Sequence, residues 1–260
     1  AVGFLVLDEA DAMLEQGFEP QVRRLVGRCG MPGSQNRQTM LFSAVFLPSI
    51  QSIAAAFLYD YIWVEIGRTG SAAESVDQEL RWLAPEEKRE ALLEVLAEEL
   101  PGKTLVFVRR KRDASELLDF LRFRGHRAAA VHGDLPQQER EDVLRHFRGG
   151  QLRLLVATDV AGRGLDVPEV QRVVNYDLPS TLDEYVHRIG RTGRAGSRGQ
   201  AVSLFVSRGE GENLAIAHSL FGLLRKRGVP IPPGLEQDVG LRLTEREKER
   251  KARQLALLQG

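Results

Sequence analysis

Short apolar runs alternate with amphipathic stretches along most of the chain, and this alternation restricts its fold more than any other feature. Five such runs, in order, are "TLVFV", "RAAAVHG", "LRLLVATD", "VQRVVNYDLP" and "QAVSLFV". Buried strands separated by helices of about 10–15 residues are typical of parallel βαβ units. The sequence therefore predicts an α/β fold with a doubly wound parallel sheet. Because ligands bind such sheets at the carboxyl ends of the strands, the residues that follow each run are the candidates for function.

A linker divides the chain into domains. The stretch Gly67–Ser75 is rich in Gly, Ser and Ala and has no hydrophobic period, which predicts a linker. We predict four segments: a first domain at 1–67, the linker at 68–76, a second domain at 77–236 and a charged tail at 237–260. In the tail, Thr244 and Glu247 have the spacing of a capping box, which predicts a helix that begins there, and a solvated tail is the alternative.

The hydrophobic patterns also predict individual elements. In the first domain they predict strands at Val2–Leu7, Met40–Ser43 and Tyr61–Ile66 and a helix at Pro48–Phe57. In the second domain they predict helices at 85–100, 112–124, 137–147 and 182–189.

Composition excludes several classes of protein. The 260 residues include 36 Lys and Arg against 36 Asp and Glu, so any nucleic-acid surface must be a local basic patch. The single cysteine, Cys29, excludes an internal disulfide and a cysteine-rich metal site, and it suits a reducing compartment. No apolar run reaches the roughly 18 residues of a membrane span. We expect a cytoplasmic protein, with the nucleus as the alternative.

An acidic run follows the first predicted strand in "FLVLDEADAML". At the end of a strand, Asp8 can hold Mg²⁺ through water while Glu9 orients an attacking water. An Asp-Glu pair also commonly begins or caps a helix, and the pair alone does not separate these interpretations. The four-residue run Asp8–Asp11 on such a strand is more specific and favours the first.

Arginines among glycines form a second candidate. The segment "HRIGRTGRAG" contains Arg188, Arg191 and Arg194. Inserted arginines stabilise the negative charge that spreads over the γ-phosphate oxygens during phosphoryl transfer. A basic loop that contacts RNA or solvent is the alternative.

Three further regions have the composition of a phosphate-binding surface. In "VATDVAGRGLDVP", backbone amides and the Thr158 hydroxyl can hold a nucleic-acid phosphate, and Asp166 can accept a hydrogen bond from a ribose. The run "RRKR" follows a predicted strand, and Gln138 and Arg140 begin a helix, so both regions can contact a sugar-phosphate backbone. An ordinary glycine-containing loop and a solvated helix start are the alternatives.

The sequence contains no glycine-rich phosphate loop. "PGKT" at 101–104 resembles the end of GxxxxGK[ST], but residue 97 is Ala where the pattern requires Gly. Such a loop normally precedes a strand like Val2–Leu7, and the first residue is not Met. We therefore expect that the chain is cut after the loop.

Five segments occur in an order that resembles the DEAD-box RNA helicases. They are Asp8-Glu9-Ala10-Asp11, "FSAV", "VHGDLPQQER", "ATDVAGRGLDV" and "HRIGRTGR", and the similarity covers about residues 2–235. The stretches "FLYDYIWVEIGRTGS" and "NLAIAHSLFGLLRKRGVPIPPGLE" are similar to the Vasa-like branch. The resemblance implies two RecA-like domains that close over ATP and Mg²⁺ and bend single-stranded RNA. It also implies that this chain holds the end of the N-terminal helicase domain and one complete C-terminal helicase domain.

The resemblance implies roles for individual residues. Asp8 is expected to hold Mg²⁺, Glu9 to activate water, and Arg191 and Arg194 to act as arginine fingers. Asp166 is expected to contact the nucleotide. Contacts between the domains are expected from Ser43, Ala44 and His187. Contacts with the RNA sugar-phosphate backbone are expected from Arg110, Gly133, Gln138, Arg140, Thr158 and Gly162.

The chain departs from the family pattern at several positions. Val45 stands where the family has threonine, and valine cannot replace the hydrogen bond of the hydroxyl. Leu47 stands at a usual proline. Arg109 and Arg110 stand where relatives commonly have an acidic residue and threonine.

Two functions are open from the sequence. The first is an ATP-dependent RNA helicase, for which this chain would need the remainder of the N-terminal helicase domain as a partner and would be inactive alone. The second is an RNA-binding or regulatory module without catalysis. Neither implies an oligomer or a membrane.

Overall fold

A computed structural model describes most of the chain. The described residues are 2–15, 17–43, 48–65, 75–98, 100, 102–159, 170–193, 197–208 and 213–245. Their contacts divide the chain into two compact units, a small unit at Ala1–Ser71 and a large unit at Ala72–Gly260. None of the helices in the described ranges is both long and apolar enough to cross a membrane.

The described part of the small unit contains two parallel strands and three α-helices. The strands are β1 (Phe4–Leu7) and β2 (Gln38–Leu41). The helices are α1 (Ala10–Glu15), α2 (Glu19–Arg28) and α3 (Pro48–Phe57), and a short 3₁₀-helix occupies Ser34–Asn36. Leu7, Ile53 and Phe57 are buried together, so the core of this unit joins α3 to β1.

The predicted strand at Tyr61–Ile66 is wrong over its described part. Residues 61–65 form no strand, and Ile62 and Val64 are 89% and 76% exposed. β-branched and aromatic residues favour a strand only where a neighbouring strand pairs with it. Among the described residues of the small unit, β1 and β2 pair only with each other. The segment therefore has the composition of a strand without a pairing partner.

In the described part of the large unit, six strands form one sheet, and each strand is parallel to its neighbours. The strands are β3 (Val76–Trp82), β4 (Lys103–Phe107), β5 (Ala128–Val131), β6 (Leu154–Ala157), β7 (Val170–Asn175) and β8 (Gly199–Phe205). Their order across the sheet is β3-β8-β7-β4-β6-β5. The predicted parallel sheet is confirmed.

Helices alternate with these strands along the chain. They are α4 (Lys88–Ala97), α5 (Lys111–Phe123), α6 (Gln137–Arg148), α7 (Leu182–Ile189), α8 (Leu214–Lys226) and α9 at 235–245. The helix predicted at 182–189 is confirmed at both ends. The helix predicted at 85–100 is instead a 3₁₀ turn, Pro85–Glu87, followed by α4, which ends at Ala97.

Helices cover both faces of the sheet. Val106 of β4 is buried in a cluster with residues of α4 and α5, whereas its neighbour Phe107 is buried in a second cluster with Phe147 of α6. Successive side chains of a strand point to opposite faces, so α6 lies across the sheet from α4 and α5. A third cluster joins Tyr185 of α7 to Phe205 of β8, whereas Leu204, which precedes Phe205 in β8, belongs to the first cluster. Helix α7 therefore also lies opposite α4 and α5.

The end of the described chain packs onto the large unit. Leu235 and Val239 of α9 are buried in the cluster that contains α7 and α8, so this helix crosses the predicted end of the second domain at residue 236. The hydroxyl of Thr244 donates to the carbonyl of Gly240 at 2.9 Å, which places Thr244 inside α9 rather than at a helix start. The predicted capping position is therefore wrong, and residues 246–260 lie outside the described chain.

Candidate functional site

The carboxyl edge of the large sheet brings together most of the predicted RNA-binding residues. Arg110, Gly133 and Thr158 follow β4, β5 and β6, which are neighbours in the sheet. Gln138 and Arg140 lie in the first turn of α6, the helix that follows β5. Because parallel strands end at the same edge, these five residues lie at one end of the unit. The sixth, Gly162, is outside the described residues.

The side chains at this edge supply both charge and hydrogen-bond donors. Arg110 is exposed at the start of α5, and Gln138 is exposed. A Cβ atom on Gly133 would contact only the end of the Lys111 side chain, at 3.7 and 3.9 Å. Arg140 is half-buried, and its Nη1 atom donates to Gln137 at 3.4 Å. Such a surface suits backbone phosphates, which require donors and positive charge but no base-specific shape.

Thr158 differs from the other residues of this edge because it is buried. Its side chain is 5% exposed, and its hydroxyl has no hydrogen-bond partner in the described chain. Its amide donates to the carbonyl of Val131 at 3.3 Å. A buried unpaired hydroxyl is costly, so the Thr158 hydroxyl is a candidate to form a hydrogen bond with a ligand at this edge.

An ion pair between a buried arginine and a partly buried aspartate lies beside these residues. The Nε and Nη2 atoms of Arg188 donate to the two carboxylate oxygens of Asp159 at 2.5 and 2.6 Å. The Nη1 atom donates to the carbonyl of Asp177 at 2.5 Å and to the side chain of Asn175 at 3.3 Å. The Arg188 side chain is only 3% exposed and lies 5.0 Å from the centre of the Phe107 ring. Arg188 therefore joins α7 to the carboxyl ends of β6 and β7.

A second buried pair lies at the end of β7. One carboxylate oxygen of Asp177 accepts from Lys88 of α4, and the other accepts from the amide of Arg109 at 3.0 Å. The Lys88 ammonium also lies 4.2 Å from the centre of the Tyr176 ring. The sequence patterns did not single out Lys88 or Asp177. The one signal concerns Asp177, which stands two positions after the end of β7 in "VVNYDLP".

Hydrogen bonds fix both ends of the helix and turn that carry Arg191. The Thr181 hydroxyl accepts from the amide of Glu184 at 3.2 Å, which caps α7. The amide of Arg191 donates to the carbonyl of Arg188 at 3.0 Å, so Arg191 lies in the turn that closes the helix. Arg191 is half-buried, as is His187 in the last turn of α7. Arg194 lies outside the described residues, as does the predicted nucleotide contact Asp166.

The turn after Arg191 packs tightly against β8. Gly193 has a φ of 68°, and its carbonyl accepts from the hydroxyl of Ser75 at 2.5 Å. A Cβ atom on Gly199 would overlap Thr192 and the amide of Gly193. The two glycines therefore permit a close approach that fixes the position of the Arg191 backbone.

The acidic run of the small unit occupies the end of β1. Asp8 is exposed, and its Oδ1 atom accepts from the amide of Glu9 at 2.9 Å. Glu9 has a φ of 48°, a left-handed conformation that is strained for a residue with a side chain and is typical of functional positions. The amide of Ala10 donates to the carbonyl of Phe42 at 3.0 Å and brings the end of β2 beside the run. Ser43 follows there, half-buried, and Ala44 is outside the described residues.

These residues fit Mg²⁺ in the way that nucleotide-hydrolysing sites bind it. Mg²⁺ keeps several waters and takes only one or two protein carboxylates together with substrate phosphates. Asp8 offers an exposed carboxylate of this kind. Within the described ranges, no three His, Cys, Asp or Glu side chains are grouped as a complete metal cage. The Asp8 carboxylate is therefore chemically suited to Mg²⁺, whose other ligands would be water and phosphate.

Comparison with known proteins identifies the family. Residues 87–196 match the helicase conserved C-terminal domain, and residues 1–53 match the DEAD/DEAH box helicase. A DEAD box protein from Methanococcus jannaschii is 36% identical, with a TM-score of 0.50 over 88% of this chain and 59% of that chain. The chain belongs to the DEAD-box helicase family. Its large unit has the RecA-like fold of a helicase C-terminal domain, as predicted.

Further DEAD-box relatives extend the comparison. The yeast DEAD-box splicing factor Prp28 is 30% identical, with a TM-score of 0.60 over 92% of this chain and 53% of that chain. Dbp5 of S. cerevisiae, in a structure bound to RNA and ADP BeF3, is 29% identical, with a TM-score of 0.75 over 93% of this chain and 62% of that chain. The chain thus spans between about half and three fifths of the length of these relatives. Its assignment to the Vasa-like branch stays a prediction.

Proposed function

We propose that the chain is the part of an ATP-dependent RNA helicase that binds RNA on the large unit and supplies catalytic groups from both units. The observation that carries the proposal is the placement of Arg110, Gly133, Gln138, Arg140 and Thr158 at one carboxyl edge. The similar Dbp5 structure contains RNA and ADP BeF3, which supports the same two ligand classes for this chain. Contacts to the sugar-phosphate backbone give little base specificity, so we propose binding without a preferred sequence.

The proposed catalytic groups divide the work of phosphoryl transfer. Asp8 would hold Mg²⁺, which neutralises charge on the phosphates when it is bound, and Glu9 would orient the attacking water. Arg191 and Arg194 would stabilise negative charge on the transferred phosphoryl group, and Asp166 would contact the nucleotide. We propose that Ser43, Ala44 and His187 couple the two helicase domains.

Binding of the triphosphate itself requires donors that these 260 residues do not contain. Carboxylates such as Asp8 and Glu9 repel a triphosphate unless the metal lies between them. A GxxxxGK[ST] loop supplies the compensating amides and lysine, and this sequence has none. We therefore propose that these residues by themselves bind RNA but do not hydrolyse ATP. The loss of the usual hydroxyl at Val45 favours the second function, RNA binding without coupled hydrolysis.

RNA binding by the 260-residue chain tests this proposal. We expect micromolar or weaker binding of single-stranded RNA, independent of sequence, with an affinity that falls steeply as salt is added. Replacing Arg140 with alanine should weaken binding and lower the slope of log K against log salt by about one, since one phosphate contact is lost. Fluorescence anisotropy at several salt concentrations measures both quantities.

A matched arginine on the same helix provides the control. Arg145 lies near the opposite end of α6, where it is exposed and paired with Asp142. Arg145→Ala removes the same charge from the same helix and should leave the affinity within about twofold, because long-range effects between exposed charges are screened by salt. Equal losses in the two variants, or no RNA binding at all, would contradict the proposed RNA edge.

A further inference from the structure

A pocket of about 400 Å³ lies between α4 and α5 and extends to the ends of β4 and β7. We call it the α4–α5 pocket. It is separate from the row of residues at β5, β6 and α6, and it meets that row only at Arg110. Five of its lining residues are basic: Lys88, Arg89, Arg109, Arg110 and Arg112.

The topology of the sheet makes this position a ligand crevice. Strands β4 and β7 are neighbours, yet α5 follows β4 on one face of the sheet and α7 follows β7 on the other. A crevice opens where the connections of adjacent parallel strands leave in opposite directions, and ligands of open α/β sheets bind there. Helices α4 and α5 also begin at the pocket, and the amides of helix N-termini favour anions.

The charges in the pocket favour an anion as well. Five basic residues face three acidic ones, Asp113, Glu116 and Asp177, in a chain whose total charge is zero. Both carboxylate oxygens of Asp177 already accept hydrogen bonds, and Glu116 pairs with Arg112 at 2.6 Å. Burial, and then the negative charge of Asp177, raise the pKa of Asp113 above its ordinary value.

The guanidinium of Arg89 packs against an aromatic ring. This guanidinium lies 5.2 Å from the centre of the Phe120 ring, and both Arg89 and Tyr176 line the pocket. Burial, and then Asp177, raise the pKa of Tyr176 to about 12, so its hydroxyl keeps its proton at neutral pH. A guanidinium has five donors, and stacking on a ring leaves its edge able to bind a phosphate.

We propose that the α4–α5 pocket binds a backbone phosphate of an RNA strand. The path of the bound RNA, which we call the RNA track, then continues from the proposed RNA edge past β4 to β7 and α4. RNA is favoured over a separate anionic ligand because Arg110 lines both the pocket and the proposed RNA edge. The inference rests on the proposed function. It adds Arg89 and Arg109 as RNA contacts, and Arg109 stands where relatives commonly have an acidic residue.

The test measures RNA affinity and its salt dependence for the 260-residue chain by fluorescence anisotropy. Arg89→Ala should lower the affinity by about tenfold, the loss of one charge-assisted hydrogen bond, and should lower the salt slope by about one. Arg124→Ala is the matched control, because Arg124 lies 5.1 Å from the centre of the same Phe120 ring but does not line the pocket. It should leave affinity and slope unchanged. Arg109→Glu provides a second variant at an exposed side chain, and it should lower the affinity further because it adds a repulsive charge.

The outcomes separate this inference from the function on which it rests. If Arg140→Ala weakens RNA binding while Arg89→Ala and Arg109→Glu do not, the proposed function stands and the inference is wrong. Equal losses in Arg89→Ala and Arg124→Ala would also overturn it, because packing on the Phe120 ring would then explain both. Titration with inorganic phosphate and with AMP tests the source of the phosphate. Binding of either compound that Arg109→Glu abolishes, with RNA affinity unchanged, would assign the pocket to a free ligand and overturn the RNA track.

Discussion

Replacing Arg191 with alanine should lower the rate of ATP hydrolysis by about a thousandfold in a polypeptide that joins this chain to a phosphate-binding loop. The transferred phosphoryl group carries negative charge on its outer oxygens, and an inserted guanidinium stabilises that charge mainly in the transition state. The structure places Arg191 in the turn that closes α7, where Gly193 and Gly199 allow tight packing against β8. Such a fixed turn suits a residue that must reach a phosphate in one geometry. Arg194→Ala should have an effect of the same size.

Steady-state ATP turnover at saturating RNA measures this effect. RNA affinity should change much less than turnover, which separates an arginine finger from an RNA contact. Arg198→Ala is the control, because Arg198 is an exposed arginine of the same segment whose distance to Asp77 is 3.9 Å. Normal turnover in both finger variants would show that these arginines contact RNA or stabilise the fold instead.

Replacing Arg188 with alanine should destabilise the large unit by about 3–5 kcal/mol. The substitution removes both hydrogen bonds to the Asp159 carboxylate and leaves that charge without its partner. It also removes the donor to the carbonyl of Asp177. A loss of this size is a large part of the roughly 5–15 kcal/mol that stabilises a typical domain. Arg188→Lys should recover little of the lost free energy of unfolding, since a lysine cannot bind a carboxylate through two parallel hydrogen bonds.

Urea denaturation of the 260-residue chain measures the change as a lower midpoint concentration. The exposed pair of Arg198 and Asp77 again supplies the comparison, because its side chains are 85% and 69% exposed. Arg198→Ala should cost about 0–1 kcal/mol, the range of surface ion pairs. An Arg188→Ala variant as stable as Arg198→Ala would contradict the stabilising role of the Arg188–Asp159 pair.

The parts of the fold that follow local rules could be predicted from the sequence. Helix α7 has the predicted bounds, and local signals mark both of its ends, because Thr181 caps it and Gly190 follows its last residue. The parallel sheet was predicted because apolar runs alternate with helical ones. The gathering of Arg110, Gly133 and Thr158 follows from the same alternation, since residues after parallel strands must meet at one edge.

The parts that depend on distant contacts could not be predicted. Lys88 and Asp177 are 89 positions apart, and Asp159 and Arg188 are 29 apart, so no local spacing reveals either pair. Residues 61–65 have the composition of a strand but have none to pair with in the described small unit. Thr244 has the spacing of a helix cap, but the helix begins earlier, at residue 235, because Leu235 and Val239 pack into the core of the large unit.

The central claim is that both units supply catalytic groups but need a phosphate loop outside these residues. RNA-stimulated ATP hydrolysis tests this claim most directly. The 260-residue chain should show no RNA-dependent turnover above its Glu9→Gln variant. The chain joined to a GxxxxGK[ST] loop should show turnover that RNA increases and that Glu9→Gln abolishes. RNA-dependent ATP turnover by the 260 residues alone that is lost in Glu9→Gln would contradict the account. ATP turnover of the loop-containing protein that does not change with RNA would also contradict it.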